Sequence, residues 1–237
     1  MGTHKVVSEK TWLARRKALL KSEKAFTRKR DALSRQRRAL PWVKVEKAYE
    51  FETPSGKKTL ADLFDGRSQL IVYHFMFGPG WKEEDYCKSC SFIADHIDGT
   101  LVHLEHHDVS LVVVSRAPLR EIVPFKKRMG WRFKWLSSFG SDFNFDYHVS
   151  FSKADVAKKR IFYNYETTQG GEEQPGISVF HKTKKGEIFH TYSSYGRGGD
   201  LLIGTYNYLD LTPFGRQEKK RGGMDWVRFH DRYDSSR

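Results

Sequence analysis

The sequence predicts an α/β fold, a mixed sheet flanked by helices, and three observations carry that prediction. Two nearly continuous apolar runs, "SQLIVYHFMF" (68–77) and "VSLVVVSRAP" (109–118), have the length and the β-branched or aromatic content of strands buried on both faces. A segment with helical spacing lies between them, which implies a right-handed parallel crossover. Later, "GISVFHKTKKGEIFHTYSSYG" (176–196) reads as two strands around a Lys-Gly turn, adding antiparallel strands to one edge.

The 237 residues fit one large domain with extensions, and 14% aromatic residues supply bulk for its core. We divide the chain into a basic helical extension (1–40), the α/β domain (41–212) and a C-terminal tail (213–237). The net charge of +13 is uneven: residues 1–40 hold thirteen Lys or Arg against Glu9, Glu23 and Asp31, so the rest carries only +3. No run of eighteen apolar residues occurs, so no membrane span is expected. The N-terminus lacks the apolar segment of a secretory signal, and a cytoplasmic location is the expectation.

Residues 8–39 read as one long helix, with Ser8 as N-cap and Pro41 just past the end. Trp12, Leu13, Leu19, Leu20, Phe26 and Leu33 form a narrow stripe along it, suited to docking on the domain or to joining a homo-oligomer. Its basic face reads as solvated in preference to binding nucleic acid or membrane. In residues 49–64 a Pro-Ser-Gly turn makes a hairpin, and "LADLFDG" is a single helical turn closed by Gly66. After the strand at 68–77 and the loop "GPGWKEEDY", helical spacing runs from Lys88 to Asp108. Residues 119–130 are a helix interrupted or kinked at Pro124 and stopped by Gly130. The aromatic group Trp131, Phe133, Trp135, Phe139, Phe143, Phe145 and Tyr147 reads as core or lid. A terminal helix is expected over 200–211, then a polar tail anchored by Trp226.

Both cysteines of the chain, Cys87 and Cys90, fall in "DYCKSCSF". Random placement would give that spacing in roughly one chain in a hundred, so the pair calls for a function. At a helix N-terminus, unsatisfied N–H groups and the helix dipole favour a thiolate at the first cysteine. The second, one turn on and more buried, resolves a mixed disulfide. Cys87 is thus the expected attacking thiol and Cys90 the resolving one. Lys88 and Ser89 would help by charge and hydrogen bonding, while Glu84 and Asp85 oppose. A CxxC opening the helix after the first core strand is the arrangement of a thioredoxin-like domain. Such sites usually place a cis-proline opposite the dithiol; Pro175 is the candidate here, and it also reads as an ordinary residue leading into a strand.

Metal binding is the alternative chemistry. His103 and His107 stand i, i+4 in "HLEHHD" with His106 and Asp108 nearby, a spacing able to hold zinc or copper. The two cysteines joined by His190 would suit copper or zinc as well, whereas the redox reading requires no cofactor. "YGRGGD" around Arg197 could cradle an anion or simply open a helix. No phosphate-binding loop and no G-x-S-x-G occurs.

The phrases "LLKSEKAFTRKRDAL", "GRSQLIVYHFMFGP", "CKSCSFIADHIDG", "RMGWRFKWLSSFGSDFNFDYHVSF", "FHTYSSYGRG" and "DWVRFHDRY" resemble a largely bacterial family, domain of unknown function 899. Its members are described as predicted dithiol–disulfide oxidoreductases with a thioredoxin-like fold. The resemblance spans nearly the whole chain, the basic helix included. It implies Cys87 and Cys90 as the functional pair, with Trp81, Arg116, His190 and Tyr192 as candidate pocket members. Two features depart from better-known relatives: Lys-Ser separates the cysteines in place of Gly-Pro, and the loop 77–87 lacks the P-x-x-x-T-x-x-C spacing of peroxiredoxins. The expected activity is therefore thiol–disulfide exchange on a thiol or disulfide substrate, with a metal-binding protein and a non-enzymatic binding module built on the basic helix as the other readings.

Overall fold

The computed structural model describes residues 4–219 and 223–233; the parts of the expected tail at 220–222 and 234–237 lie outside them. The chain divides into two compact units, residues 1–41 and 42–237. The first is the single helix α1 (Glu9–Arg38), which Ser8 caps by accepting the Thr11 N–H. Three arginines stand in its last turn, where positive charge complements the helix dipole. No residue of α1 is buried.

In the second unit β1 (Val43–Lys44) is followed by the hairpin of β2 (Glu50–Thr53) and β3 (Gly56–Thr59). Gly56 takes φ +104° there, a value closed to side chains with a Cβ. A 3₁₀ turn at Asp62–Phe64 leads to β4 (Gln69–His74). Then come α2 (Lys88–Ala94), α3 (Leu101–His106), β5 (Val109–Ser115), α4 (Leu119–Arg128) and β6 (Lys134–Ser137). The short helices α5 (Phe143–Asp146) and α6 (Lys153–Ala157) precede a small separate hairpin, β7 (Ile161–Tyr163) and β8 (Glu166–Thr168). The long hairpin of β9 (Gly176–Lys182) and β10 (Ile188–Tyr195), a 3₁₀ segment at Gly196–Leu202 and α7 (Gly204–Leu209) complete the unit.

The eight-stranded sheet runs β1-β10-β9-β4-β5-β6-β2-β3. β4 pairs parallel with β5 and antiparallel with β9, and β9 pairs antiparallel with β10. A parallel crossover joined to an antiparallel hairpin, with the CxxC helix leaving the central strand β4, makes the fold thioredoxin-like. β4 alternates between two cores. Leu70 and Val72 meet Val112, Val114, Leu136 and Phe180 on one face; Tyr73 and Phe75 meet Val113, Trp135, Ile177 and Cys90 on the other. A central strand sandwiched in this way must be apolar at successive positions, which is why its sequence shows no alternation.

Several expectations are corrected. The helix expected from Lys88 to Asp108 is two helices, broken at 95–100. The break turns Asp98 so that its carboxylate accepts the N–H groups of Arg132 and Phe133, each at 2.8 Å, just before β6. α4 continues through Pro124 without interruption. The helix expected at 200–211 is split at Ile203, which is fully buried with extended backbone; α7 then begins with the Thr205 N–H donating to His96 Nε2 at 3.1 Å. Of the aromatic group, Trp131, Phe133, Trp135, Phe143 and Tyr147 are core, while Phe139 is exposed. Among the described residues of the C-terminal segment Val227 and Phe229 are buried, and Trp226 is half-buried against Phe92. Among the described residues no helix is long and apolar enough to cross a membrane.

Candidate functional site

Cys87 is the N-cap of α2, and its Sγ accepts the backbone N–H of Cys90 at 3.2 Å. Its carbonyl accepts both the N–H and the hydroxyl of Ser91 at 3.0 Å, which fixes the first turn. Both thiols are free; Cys87 is half-buried and Cys90 is buried. Met76 Sδ lies 4.0 Å from Cys87 Sγ, and beneath the pair the Tyr73 hydroxyl points to the Cys90 carbonyl at 3.4 Å.

The two thiols are driven in opposite directions. The hydrogen bond from the Cys90 thiol, reinforced by the N–H groups of Cys90 and Ser89, holds Cys87 below the ordinary thiol value against the opposing cost of burial. Burial pushes Cys90 well above it, and a negative Cys87 would push it further. Ser89 thus acts through its backbone N–H, and the Asp85 carboxylate is turned onto the Lys82 N–H at 3.0 Å. Geometry and charge agree: the half-buried Cys87 is the thiol favoured as a thiolate, and the buried Cys90 is the one that keeps its proton.

The dithiol opens into a cavity of about 360 Å³ whose walls come from distant parts of the chain. By chain segment its walls are three: Met76, Cys87, Cys90 and Ile93 the first; Pro175, Gly196, Arg197 and Asp200 the second; Glu218, Gly223 and Met224 the third. Pro175 therefore stands at the dithiol, although no cis peptide bond occurs among the described residues. The Tyr163 hydroxyl donates to the Pro175 carbonyl and accepts the Gly196 N–H, both at 2.7 Å, and so ties two sections of the second wall together. Tyr163 and the third wall escaped sequence reasoning: they reach the site from a peripheral hairpin and a polar C-terminal segment, with no local motif to mark them.

The other candidates stand elsewhere. Trp81, Arg116 and Tyr192 are not among the residues lining this cavity. Trp81 packs on Phe77 and against Gly78, where a Cβ would fall 2.7 Å from its Nε1. Arg116 donates from Nε to the buried Glu173 carboxylate at 2.7 Å and lies over the Phe145 ring. Tyr192 pairs in register with Val179. His190 packs on Tyr147 and Phe180, in the core on the opposite face from Cys90, so it does not join the two thiols. It bonds instead to Ser193 Oγ at 2.8 Å, in a chain that continues through Ser178 to the buried His74. Among the described residues no three His, Cys, Asp or Glu side chains gather as a metal site, and His103, His106, His107 and Asp108 form none.

Three solved structures illustrate the likeness at low identity. Peroxidoxin BcpB from Mycobacterium tuberculosis is 13% identical, with 72% of this chain and 97% of that chain covered and a TM-score of 0.41. A putative thiol:disulfide interchange protein, DsbE from Chlorobium tepidum, is 10% identical over 69% of this chain and 93% of that one, with a TM-score of 0.42. A thiol:disulfide interchange protein from Bacteroides sp. is 15% identical over 73% and 93%, with a TM-score of 0.40. No curated protein matches the sequence. Residues 1–233 match the family described as "Bacterial protein of unknown function (DUF899)", and the chain belongs to that family.

Proposed function

We infer that the protein is a dithiol–disulfide oxidoreductase with Cys87 as nucleophile and Cys90 as resolving thiol. The observation that carries this reading is the Cys90 N–H donated to Cys87 Sγ at the start of α2, beside a second thiol that burial keeps protonated. The Cys87 thiolate attacks one sulfur of a substrate disulfide, and the other sulfur leaves as a thiolate that takes up a proton. Cys90 then loses its proton and attacks Cys87 Sγ in the mixed disulfide, releasing the second substrate thiol. The substrate gains two electrons and two protons, and the protein is left with a Cys87–Cys90 disulfide. Either direction is open, and the potential of the pair against its thiol pool decides which one runs. No cofactor enters these steps. A cytoplasmic setting, where thiol pools keep cysteines reduced, suits the dithiol form.

The test is trapping. With Cys90→Ser, a disulfide substrate should stop at a mixed disulfide on Cys87, visible by mass and released by a reductant. With Cys87→Ser, the buried Cys90 should form no adduct. Adducts on Cys90 instead, or none on either variant, would remove the proposed roles.

A further inference from the structure

We propose that the recess at Cys87 takes small disulfides carrying both an amino and a carboxylate group, the chemistry of an amino-acid disulfide, and excludes disulfides held in folded proteins. The inference rests on the redox reading of the dithiol and concerns what reaches it.

Size is the first argument. Cys87 is only half-buried, yet it opens into a cavity of about 360 Å³, near the lower end of the roughly 300–1,000 Å³ that small-molecule sites occupy. Glu218 and Met224 line the same cavity as the dithiol, so the thiol sits in a recess that these residues share. Glu218 and Met224 are bonded into the fold. The Met224 N–H and the Tyr206 hydroxyl both donate to Glu218 Oε1, at 2.9 and 2.5 Å. Beyond Met224, Val227 and Phe229 are buried, Arg128 grips Asp231 with two bonds, and His230 meets the Asp95 carboxylate at 2.6 Å. A disulfide held on a folded surface would have to enter this recess to reach Cys87. A disulfide of a few heavy atoms on each side can enter.

Charge is the second argument. Arg197 is the lining cation, and its side chain is 75% exposed. Its bond to Asp200 at 3.0 Å uses Nε, one of five N–H donors. The rest of the fork suits a carboxylate. Asp200 and Glu218 also line the cavity, and each carboxylate has acceptor capacity beyond the bonds described, which suits an ammonium group. The apolar part of the lining is soft, with Met76, Ile93 and Met224, and Met76 Sδ lies 4.0 Å from Cys87 Sγ. The 3₁₀ segment bearing Arg197 packs on the dithiol helix at Gly199, where a Cβ would make ordinary contact with Ile93 at 3.5 Å.

The experiment mixes the fully reduced, full-length protein with equal concentrations of cystine, cystamine, dithiodiglycolate or insulin. Oxidation of Cys87 and Cys90 is followed by quenching, alkylation and mass analysis. In each case one substrate S–S bond breaks, one protein S–S bond forms and two substrate thiols are released. Cystine, with both charges, should oxidise the pair faster than cystamine or dithiodiglycolate, which carry one kind each, by roughly two- to fivefold, and insulin should be slowest. Arg197→Gln should bring cystine and cystamine close to parity. Insulin reacting as fast as cystine overturns the size argument. Cystamine or dithiodiglycolate matching cystine in the unaltered protein overturns the charge argument. Oxidation by none of the four defeats the redox reading itself, and the inference with it.

Discussion

The Tyr163 hydroxyl and the Pro175 carbonyl lie 2.7 Å apart, and through this bond a peripheral hairpin supports the wall that faces the dithiol. The same oxygen accepts the Gly196 N–H at 2.7 Å. Tyr163 is a positioning residue: it touches neither cysteine but joins the start of β9 to the 3₁₀ segment bearing Arg197. Tyr163→Phe keeps the ring and removes both bonds; the exposed Gly196 N–H can turn to water, so we expect a loss of about 0.5–1.5 kcal/mol in denaturant unfolding. The rate of disulfide exchange should fall at the same time, with the reactivity of Cys87 towards a small alkylating agent largely retained. A variant of native stability and full exchange rate would show that the wall stands without this bond.

Arg116 belongs to a buried pair. Glu173 is 3% exposed and receives Arg116 Nε and the Ser150 hydroxyl, each at 2.7 Å, two residues before Pro175. Burial raises the Glu173 carboxyl, with Arg116 and Ser150 opposing. Arg116→Ala should therefore cost about 3 kcal/mol at neutral pH by leaving an unpaired buried charge. A carboxyl raised in the folded state favours folding most where it is protonated, so the loss should shrink as the pH falls through the folded value. Chemical denaturation of the variant across pH checks both magnitude and direction; a small loss, or one constant with pH, would mean that Glu173 is not held by Arg116.

His74 sets a second pH dependence. It is 1% exposed, bonded through Nε2 to Ser178 Oγ at 2.9 Å, with Nδ1 buried and unpartnered among the described residues. Burial, and to a smaller degree the charge of His190, lowers its value from 6.5 to about 3. The unfolded chain therefore binds a proton that the folded chain refuses. The contribution is complete above the unfolded value and is lost as the pH falls towards about 3, by up to about 1.4 kcal/mol per pH unit. His74→Phe should flatten that slope by about one proton between roughly pH 4 and 6, whatever its effect at neutral pH, because Ser178 keeps Ser193 as a partner. An unchanged slope would place the acid sensitivity elsewhere.

What could be read from the sequence was what lies close together along the chain. The strands at 68–77 and 109–118, the hairpin at 176–196 and the dithiol at a helix start each carry a local signature, and each stands where expected. β6 was missed because "KWLS" is short and sits among aromatic residues whose period fits no element. The break at 95–100 was missed because its cause is remote: the Asp98 carboxylate serves N–H groups more than thirty residues away. His190 looked like a partner for the cysteines on residue type alone. The alternation of the sheet puts it in the other core, a fact set by register across three strands.

The central claim is that Cys87 and Cys90 act as one redox couple. Its most direct measurement is the reduction potential of the pair: equilibration in graded thiol buffers with a chelator present, acid quenching, alkylation and mass analysis. The account predicts one reversible transition that consumes two electrons, with both cysteines changing together and a midpoint between about −180 and −320 mV. Thiols that remain separately alkylated at every ratio, or that oxidise without forming the Cys87–Cys90 bond, would contradict it.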